Sequence, residues 1–414
     1  MNLKHFLHIG EHLSAPILGS EEMYSTTTSE VYSIGFIPIE FILFACLLLA
    51  ISLFHKHVLP IAVTGLTIIF GYKILFTSME MLPHLTHEMP TVFNLFGLLV
   101  GFEILASYFE KSGLPDLLPD YLPNDWKGGA ALVIIVGIMS TFLDNIAAAV
   151  IGGTIAYKVF HGKVHLGLIV AIVASSNAGG ADSVIGDTTT TMMWIDGVPA
   201  LEVTDAFLGS IPSILIVAYF GGKMQDKHQP IQANSTLGVS INWNYLIASM
   251  LIIIGVIATN ILFEFPAAGV WGAILLAMLF VKTDWHHVPA AMKGAIFLLC
   301  LVLSASMMPV ETLPKPTWLS AVLLGFVSAV FDNIPLTKLA LSQGGYDWGL
   351  LAYAVGFGGS LIWFGSSAGV AISNIYPSAK STGRWLATGW FAVLAYLVGV
   401  TSILLLAGWS PTFH

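Results

Sequence analysis

SSNAGGADSVIGDTTTTM occupies residues 175–192, between the apolar run LGLIVAIVA (166–174) and Met193-Trp194-Ile195. Two aspartates, an asparagine, three glycines and four threonines thus sit inside a segment of membrane length. Irregular polar backbone at that depth survives only where it lines a cavity or is buried in protein. Asn177, the pair Gly179-Gly180 and Asp182 stop a helix at little cost, and Asp187-Thr188-Thr189 starts another with an N-cap and first-turn hydroxyls. The stretch reads as an unwound linker between two half-helices. Free carbonyls at the end of the first, with Asp and Thr oxygens, make a site for a hard cation.

The rest of the chain agrees with a membrane setting. Of 414 residues, 56% are hydrophobic and 9% charged, and the mean hydropathy is +0.84; soluble domains carry about 25% charged residues. Apolar runs of about 20 residues recur from Gly35 to the C-terminus, which defines an all-α polytopic membrane protein. The net charge of −9 sits in loops and at buried acids, so nucleic acid is not a partner. Cys46 and Cys300 both fall in apolar spans, which argues against a disulfide framework. Residues 1–34 lack the features of a signal peptide and read as a surface helix and polar linker. There, His8, Glu11 and His12 have a metal-compatible spacing, but a solvated helix face explains them better. No cofactor is expected.

Spans are expected at 35–54, 57–77, 93–110, 163–195 and 207–222, and again at 243–263, 267–281, 293–310, 348–375 and 385–408. Two further apolar stretches, 128–157 and 317–343, have polar centres, STFLDN (140–145) and SAVFDN (328–333). Each is too short for two crossings of about 20 residues and too long for one, so each reads as a re-entrant hairpin with its tip at the midplane. The tips share Ser-x-x-x-Asp-Asn-Ile, as Ser140, Asp144, Asn145 and Ser328, Asp332, Asn333. The interrupted spans share Gly-Gly-x5-Gly, as Gly179, Gly180, Gly186 and Gly358, Gly359, Gly365. Two motifs in the same order define a repeat: 35–222 and 243–408, joined by a linker over 223–242. In each repeat three helices precede a hairpin, a broken helix and a final helix.

Five crossings per repeat turn the second copy upside down, giving about ten spans plus two hairpins. The basic residues fit that topology. Lys56, Lys111, Lys127, Lys158, Lys163, Lys223, Lys227, Lys282, Lys293, Lys380 and Arg384 fall on one face, and Lys4, Lys73 and Lys315 on the other. The rich face is cytoplasmic by the positive-inside rule, with both termini outside.

Ionisable groups at membrane depth are functional by default. Asp144, Asp187 and Asp332 are candidates for binding a cation or protons, with Asn145, Asn177, Thr188, Thr189 and Asn333 beside them. Plainer alternatives exist: Asp187 as an N-cap only, matched in the second half by Ser366, and Asp144 and Asp332 as acids satisfied by local amides. Asp182 matches Leu361 in the repeat, so symmetry does not require an acid there. Glu40 is expected to reach water; Glu103 is deeper, with Lys73 or Lys338 as partner or a place on a proton path. Acids converging on one site titrate as a coupled set. They hold protons or a small cation but not both comfortably, and alternate opening then exchanges the two.

The stretches STFLDNIAAAVIGGTIA (140–156), SSNAGGADSVIGDTTTTMMWI (175–195), SAVFDNIPL (328–336) and AVGFGGSLIWFGSSAGVA (354–371) resemble the NhaD-type sodium/proton antiporters. The span pattern extends the likeness over about 35–408. The resemblance implies an elevator-like transport domain moving against a scaffold that forms a homodimer, in a bacterial inner membrane. It implies functional roles for Ser140, Asp144, Asn145, Asn177, Asp187, Thr189, Thr190, Ser328 and Asn333, with sodium or lithium and protons as substrates and no enzymatic activity. A sodium site of Asp144, Asn145, Asp187 and Asn333 follows, supported by the glycine pairs and by Ser360 and Ser366. Dicarboxylate carriers of the same superfamily carry Ser-Asn-Thr at the tips, where acids would repel an anion. The chain departs from the family in being short and in placing Asp182 where an uncharged residue is expected.

A rival reading is sodium-coupled symport of a small anion, a carboxylate or sulfate. An intramembrane aspartyl protease using Asp144 and Asp187 is opposed by the sequence, because Val184-Ile185-Gly186-Asp187 is not Gly-x-Gly-Asp and a protease has no use for Asp332.

Overall fold

The computed structural model describes residues 33–413 except 35–36, 55–56, 78 and 232–239. The expected N-terminal segment, with His8, Glu11 and His12, lies outside the described residues apart from Ser33 and Ile34. These two pair antiparallel with Ile37 and Pro38. The remainder is helical almost throughout. In chain order the helices are α1 (Ile39–Leu53), α2 (Val58–Phe76), α3 (Met81–Lys111), α4 (Leu114–Tyr121), α5 (Trp126–Ser140), α6 (Asn145–Val159), α7 (Leu166–Ala181), α8 (Thr188–Ile195), α9 (Ala200–Val203), α10 (Phe207–His228), α11 (Trp243–Phe263), α12 (Pro266–Ala277), α13 (Val288–Ser306), α14 (Trp318–Ser328), α15 (Asn333–Gln343), α16 (Trp348–Gly358), α17 (Ser367–Ile375), α18 (Thr382–Thr388) and α19 (Trp390–Leu406).

Among the described residues, five helical stretches are long and apolar enough to cross a bilayer alone: Val58–Phe76, Met81–Lys111, Ala200–His228, Trp243–Phe263 and Val288–Ser306. The other expected spans fall on shorter or interrupted helices. Both stretches expected as hairpins are helix–turn–helix units, α5–α6 and α14–α15, with bounds within two residues of the expected ones. Residues 163–195 and 348–375 are each two helices with a break. The last span is bent by 61° at Gly389, between α18 and α19.

Two elements depart from expectation. The third helix begins at Met81 rather than 93. Its first turns carry Pro83, His84, His87, Glu88 and Pro90, and Glu88 is buried against Lys338 of α15 at 3.1 Å. The charge is matched in space rather than solvated. Likewise Glu40, expected to reach water, is 1% exposed and accepts from Lys73 Nζ at 3.0 Å. This ion pair ties α1 to α2 and removes Lys73 as a partner for Glu103.

The inner packing is α5 against α7 and α10, α7 against α16, and α16 against α14 and α19. The second arm of each helix–turn–helix unit crosses to the other half: α6 packs on α17, and α15 on α8. Equivalent contacts recur in the two halves. Ser140 Oγ donates to Ser176 O at 2.6 Å, and Ser328 Oγ donates to Val355 O at 2.8 Å. Gly179 lies against the carbonyl of Gly137, and Gly358 against that of Gly325, so close that a Cβ would overlap backbone. These glycines let helices touch at their backbones. In the first half the glycine pair does not end the helix: α7 runs through Gly179 and Gly180 to Ala181, and the unwound stretch is 182–187. A helical glycine costs only about 1 kcal/mol relative to alanine, which tight crossing repays. In the second half the helix does end at the pair, with Gly358 its last residue and Gly359 its cap.

Outside the bilayer-facing body, Asp284 in the loop between α12 and α13 accepts from the His286 amide at 3.1 Å and pairs with Lys111 at 3.1 Å. The amide first, and then the ammonium, hold its carboxyl below the usual range.

Candidate cation-binding site

Asp187 is the point on which the interrupted elements converge. It is the N-cap of α8, with Oδ1 accepting from Thr189 N at 3.0 Å. Its Oδ2 accepts from Asn145 Nδ2 at 2.9 Å and from Asn333 Nδ2 at 3.2 Å. Asn145 and Asn333 begin α6 and α15, so the turns of both helix–turn–helix units present an amide to one carboxylate. Asp187 is 3% exposed. Asn145 also donates to Asn177 Oδ1 at 3.2 Å, and Asn177 Nδ2 donates to Ser360 Oγ at 3.0 Å and Ser366 Oγ at 2.9 Å. One polar network therefore joins both tips and both helix breaks.

The neighbouring aspartates are local caps. Asp144 caps α6, with Oδ2 accepting from Ile146 N at 3.2 Å. Asp332 caps α15, with Oδ1 accepting from Ile334 N at 3.0 Å and Oδ2 accepting from Ser367 Oγ at 3.3 Å. The two tips have nearly the same backbone: φ −50°, ψ 140° at Asp144 and φ −54°, ψ 142° at Asp332. Ser366 caps α17 by accepting from Gly369 N at 3.2 Å, where α8 has Asp187. The arrangement is thus symmetric in backbone and asymmetric in charge.

A cavity of about 290 Å³ reaches Asp144, Asn145, Asp187, Thr188, Asn333 and Ser367. Its outer wall carries Glu103, Ser107 and Glu110 of α3 and His287. Among the described residues no lysine or arginine lines it. Asp332 is absent from its wall, although its partner Ser367 is present. Thr190 and Thr191 turn their hydroxyls onto Asp187 O, both at 2.9 Å, and so fix the start of α8. The hydroxyl of Thr189 is buried beside the Asp187 carboxylate. Carboxylates, amides and hydroxyls at the inner end form a donor set for a hard cation, which takes oxygen ligands.

Of the expected site residues, Asp144, Asn145, Asp187, Thr188 and Asn333 share the cavity, and Asn177, Ser360 and Ser366 join it through hydrogen bonds. Ser140 and Ser328 pin the tips onto neighbouring helices. Glu103 is bound to neither suggested lysine: Lys338 pairs with Glu88 and Asp196. Ser367 was not singled out in the sequence. The repeat contained the signal, since Ser367 follows Ser366 as Thr188 follows Asp187.

Broken helices around a buried carboxylate, in a helical protein with several bilayer-length spans, define a membrane transporter rather than an enzyme. The chain belongs to the citrate transporter family CitMHS, whose profile matches residues 34–358. It is similar to Sodium/proton antiporter 1 of Arabidopsis thaliana, at 26% identity over 78% of this chain and 63% of that protein. It is also similar to the Na(+)/H(+) antiporter NhaD of Vibrio cholerae, at 25% identity over 75% of this chain and 77% of that protein. NhaD of Halomonas elongata matches at 25% identity over 67% and 68% of the two chains. The chain thus spans less than two thirds of the plant relative's length. The expected likeness to the NhaD type is met.

Proposed function

We propose that this protein exchanges sodium or lithium for protons across a membrane by alternating access. Asp187 and Asp144 bind the cation with Asn145 and Asn333, and a proton competes for the same carboxylates. The observation that carries the reading is the double amide contact on Asp187, one from each tip. A centre shared by both halves is sensitive to any movement of one against the other. Asn177 and Thr188 complete the surroundings of the ion. Asp332 acts from behind the tip, through Ser367.

The frame for this chemistry is two inverted repeats, 35–222 and 243–408, with both tips entering as re-entrant hairpins and moving as one elevator-like body. The scaffold forms a homodimer. The cavity wall bears Glu110 and His287, next to Lys111 and near Lys282. Those lysines belong to the basic face, so the cavity opens to the cytoplasm in an inner membrane, with both termini outside.

Anion symport is the weaker reading. Glu103, Glu110, Asp144 and Asp187 line the cavity without a lysine or arginine, and a carboxylate or sulfate would meet repulsion along its whole length. The names of the relatives cited above support exchange of sodium and protons. In everted vesicles, added sodium or lithium is expected to dissipate a preformed pH gradient, and Asp144→Asn to remove that response. Vesicles of the unaltered protein that keep their gradient with both ions at acidic and alkaline pH would refute antiport.

Glu103 should act at a distance. A carboxylate on the cavity wall concentrates cations in a low-dielectric cleft. Glu103→Gln is expected to raise the sodium concentration for half-maximal exchange several-fold, more so at low ionic strength, with little change in the maximal rate. Exchange rates against sodium at two ionic strengths check this; an unchanged half-saturation value at both counts against the role.

A further inference from the structure

Asp182 has no part in the site described above. It is the C-cap of α7, 2% exposed, and among the described residues its Oδ1 has no hydrogen-bond partner. Among the described residues it forms no ion pair, and it does not line the cavity that reaches Asp187. A buried carboxylate with neither cation nor full hydrogen bonding is costly enough that the group takes up a proton instead. The position adds to that cost, because the C-terminal end of a helix disfavours negative charge.

The neighbours fit a carboxylic acid. Ser210 of α10 is beside Asp182, and its single hydroxyl hydrogen is donated to Ala178 O at 3.0 Å. A hydrogen on the Asp182 carboxyl would let the Ser210 oxygen accept as well as donate. Tyr353 of α16 also faces it. That hydroxyl is engaged with Ser213 Oγ at 2.6 Å, and its ring is stacked on Tyr396 of α19. None of these facing groups is charged. In the second half the matching residue is Leu361, itself buried. The fold accepts an apolar side chain at this place, so the acid is an addition to the shared framework.

We infer that Asp182 is a proton-binding site separate from the cation site, filled in the conformation seen here, whose proton exchanges with solvent only when the 182–187 linker rearranges. Asp182 opens that linker and Asp187 closes it. A cation arriving at Asp187 therefore acts on the segment that begins at Asp182. This deepens the antiport reading by adding a proton to the cycle, although the bound proton itself does not depend on that reading.

Infrared spectroscopy of the purified full-length protein at neutral pH tests the inference. A carboxylic-acid carbonyl band is expected that Asp182→Asn and Asp182→Leu both lose; Leu is the counterpart residue and guards against misfolding of the first variant. In deuterated buffer the band should shift slowly without sodium and several-fold faster with it. Identical spectra for all three proteins would overturn the site. A shift that is immediate and indifferent to sodium would overturn the gating by the linker. If sodium fails to move a pH gradient in vesicles but the band behaves as expected, the antiport reading falls and the proton site stands.

Discussion

Asp187→Asn is expected to abolish sodium-dependent exchange while the protein still folds. The substitution separates the two roles of this side chain. As an N-cap, asparagine is as good as aspartate. If capping α8 were the whole role, the variant would be nearly silent. As the centre of a cation site it cannot be silent. The carboxylate accepts two amide hydrogens on Oδ2 and one backbone hydrogen on Oδ1. An amide in its place either turns its own NH2 towards Asn145 and Asn333, donor against donor, or gives up the cap. Either way the cation loses a charged ligand in a buried setting. Breaking a buried charge pair costs about 3–5 kcal/mol, a loss of more than about a hundredfold in affinity. Asp187→Ser makes the same test from the other direction, because it installs the residue that caps α17. Both variants should elute as folded protein and melt within several degrees of the unaltered protein, bind sodium too weakly to detect by calorimetry, and leave an imposed pH gradient intact. Exchange by Asp187→Asn at a substantial fraction of the normal rate would reduce Asp187 to a cap.

The positions of these groups were legible in the sequence because the deciding signals are local. Ser-x-x-x-Asp-Asn placed both turns within two residues, and Asp187-Thr188 marked the start of α8. Features set by contacts between distant residues were not legible. Nothing near Glu40 announces Lys73, and nothing near Glu88 announces Lys338, so the first is expected to reach water and the third span is expected only from 93. The glycine pair misled for a related reason. Gly179 is conspicuous as a helix breaker, but its role is set by the Gly137 carbonyl pressed against it, a contact between two helices. The convergence of Asn145 and Asn333 on one oxygen of Asp187 spans 42 and 146 residues of chain. The repeat implied that the tips meet; it did not say which carboxylate they would share.

Lys338 carries the second large effect. It is 5% exposed, and its ammonium lies 3.1 Å from both Glu88 Oε2 and Asp196 Oδ2. Three elements meet there: α15, the first turns of α3 and the end of α8. Lys338→Met matches the volume and removes the charge, leaving the buried Glu88 and the half-buried Asp196 without their shared cation. Uncompensated burial of this kind costs about 3–5 kcal/mol, and the melting temperature in detergent should fall by several degrees. A buried pair is not stabilising merely because breaking it is harmful; replacing every member with neutral residues is often tolerated. The triple change Lys338→Met, Glu88→Gln, Asp196→Asn should therefore recover most of the lost melting temperature. An equal deficit in the single and triple variants would mean that the lysine stem, not its charge, holds α15 in place. The recovered triple variant has a further use in the exchange assay. The second tip rides on α15, and Glu88 belongs to α3, whose Glu103 faces the cavity. If the ion network only fixes the fold, exchange returns with stability. If it also holds α15 against α3 and α8 while the cavity is open, the triple variant melts normally but conducts sodium without moving protons, because nothing keeps both gates from opening together.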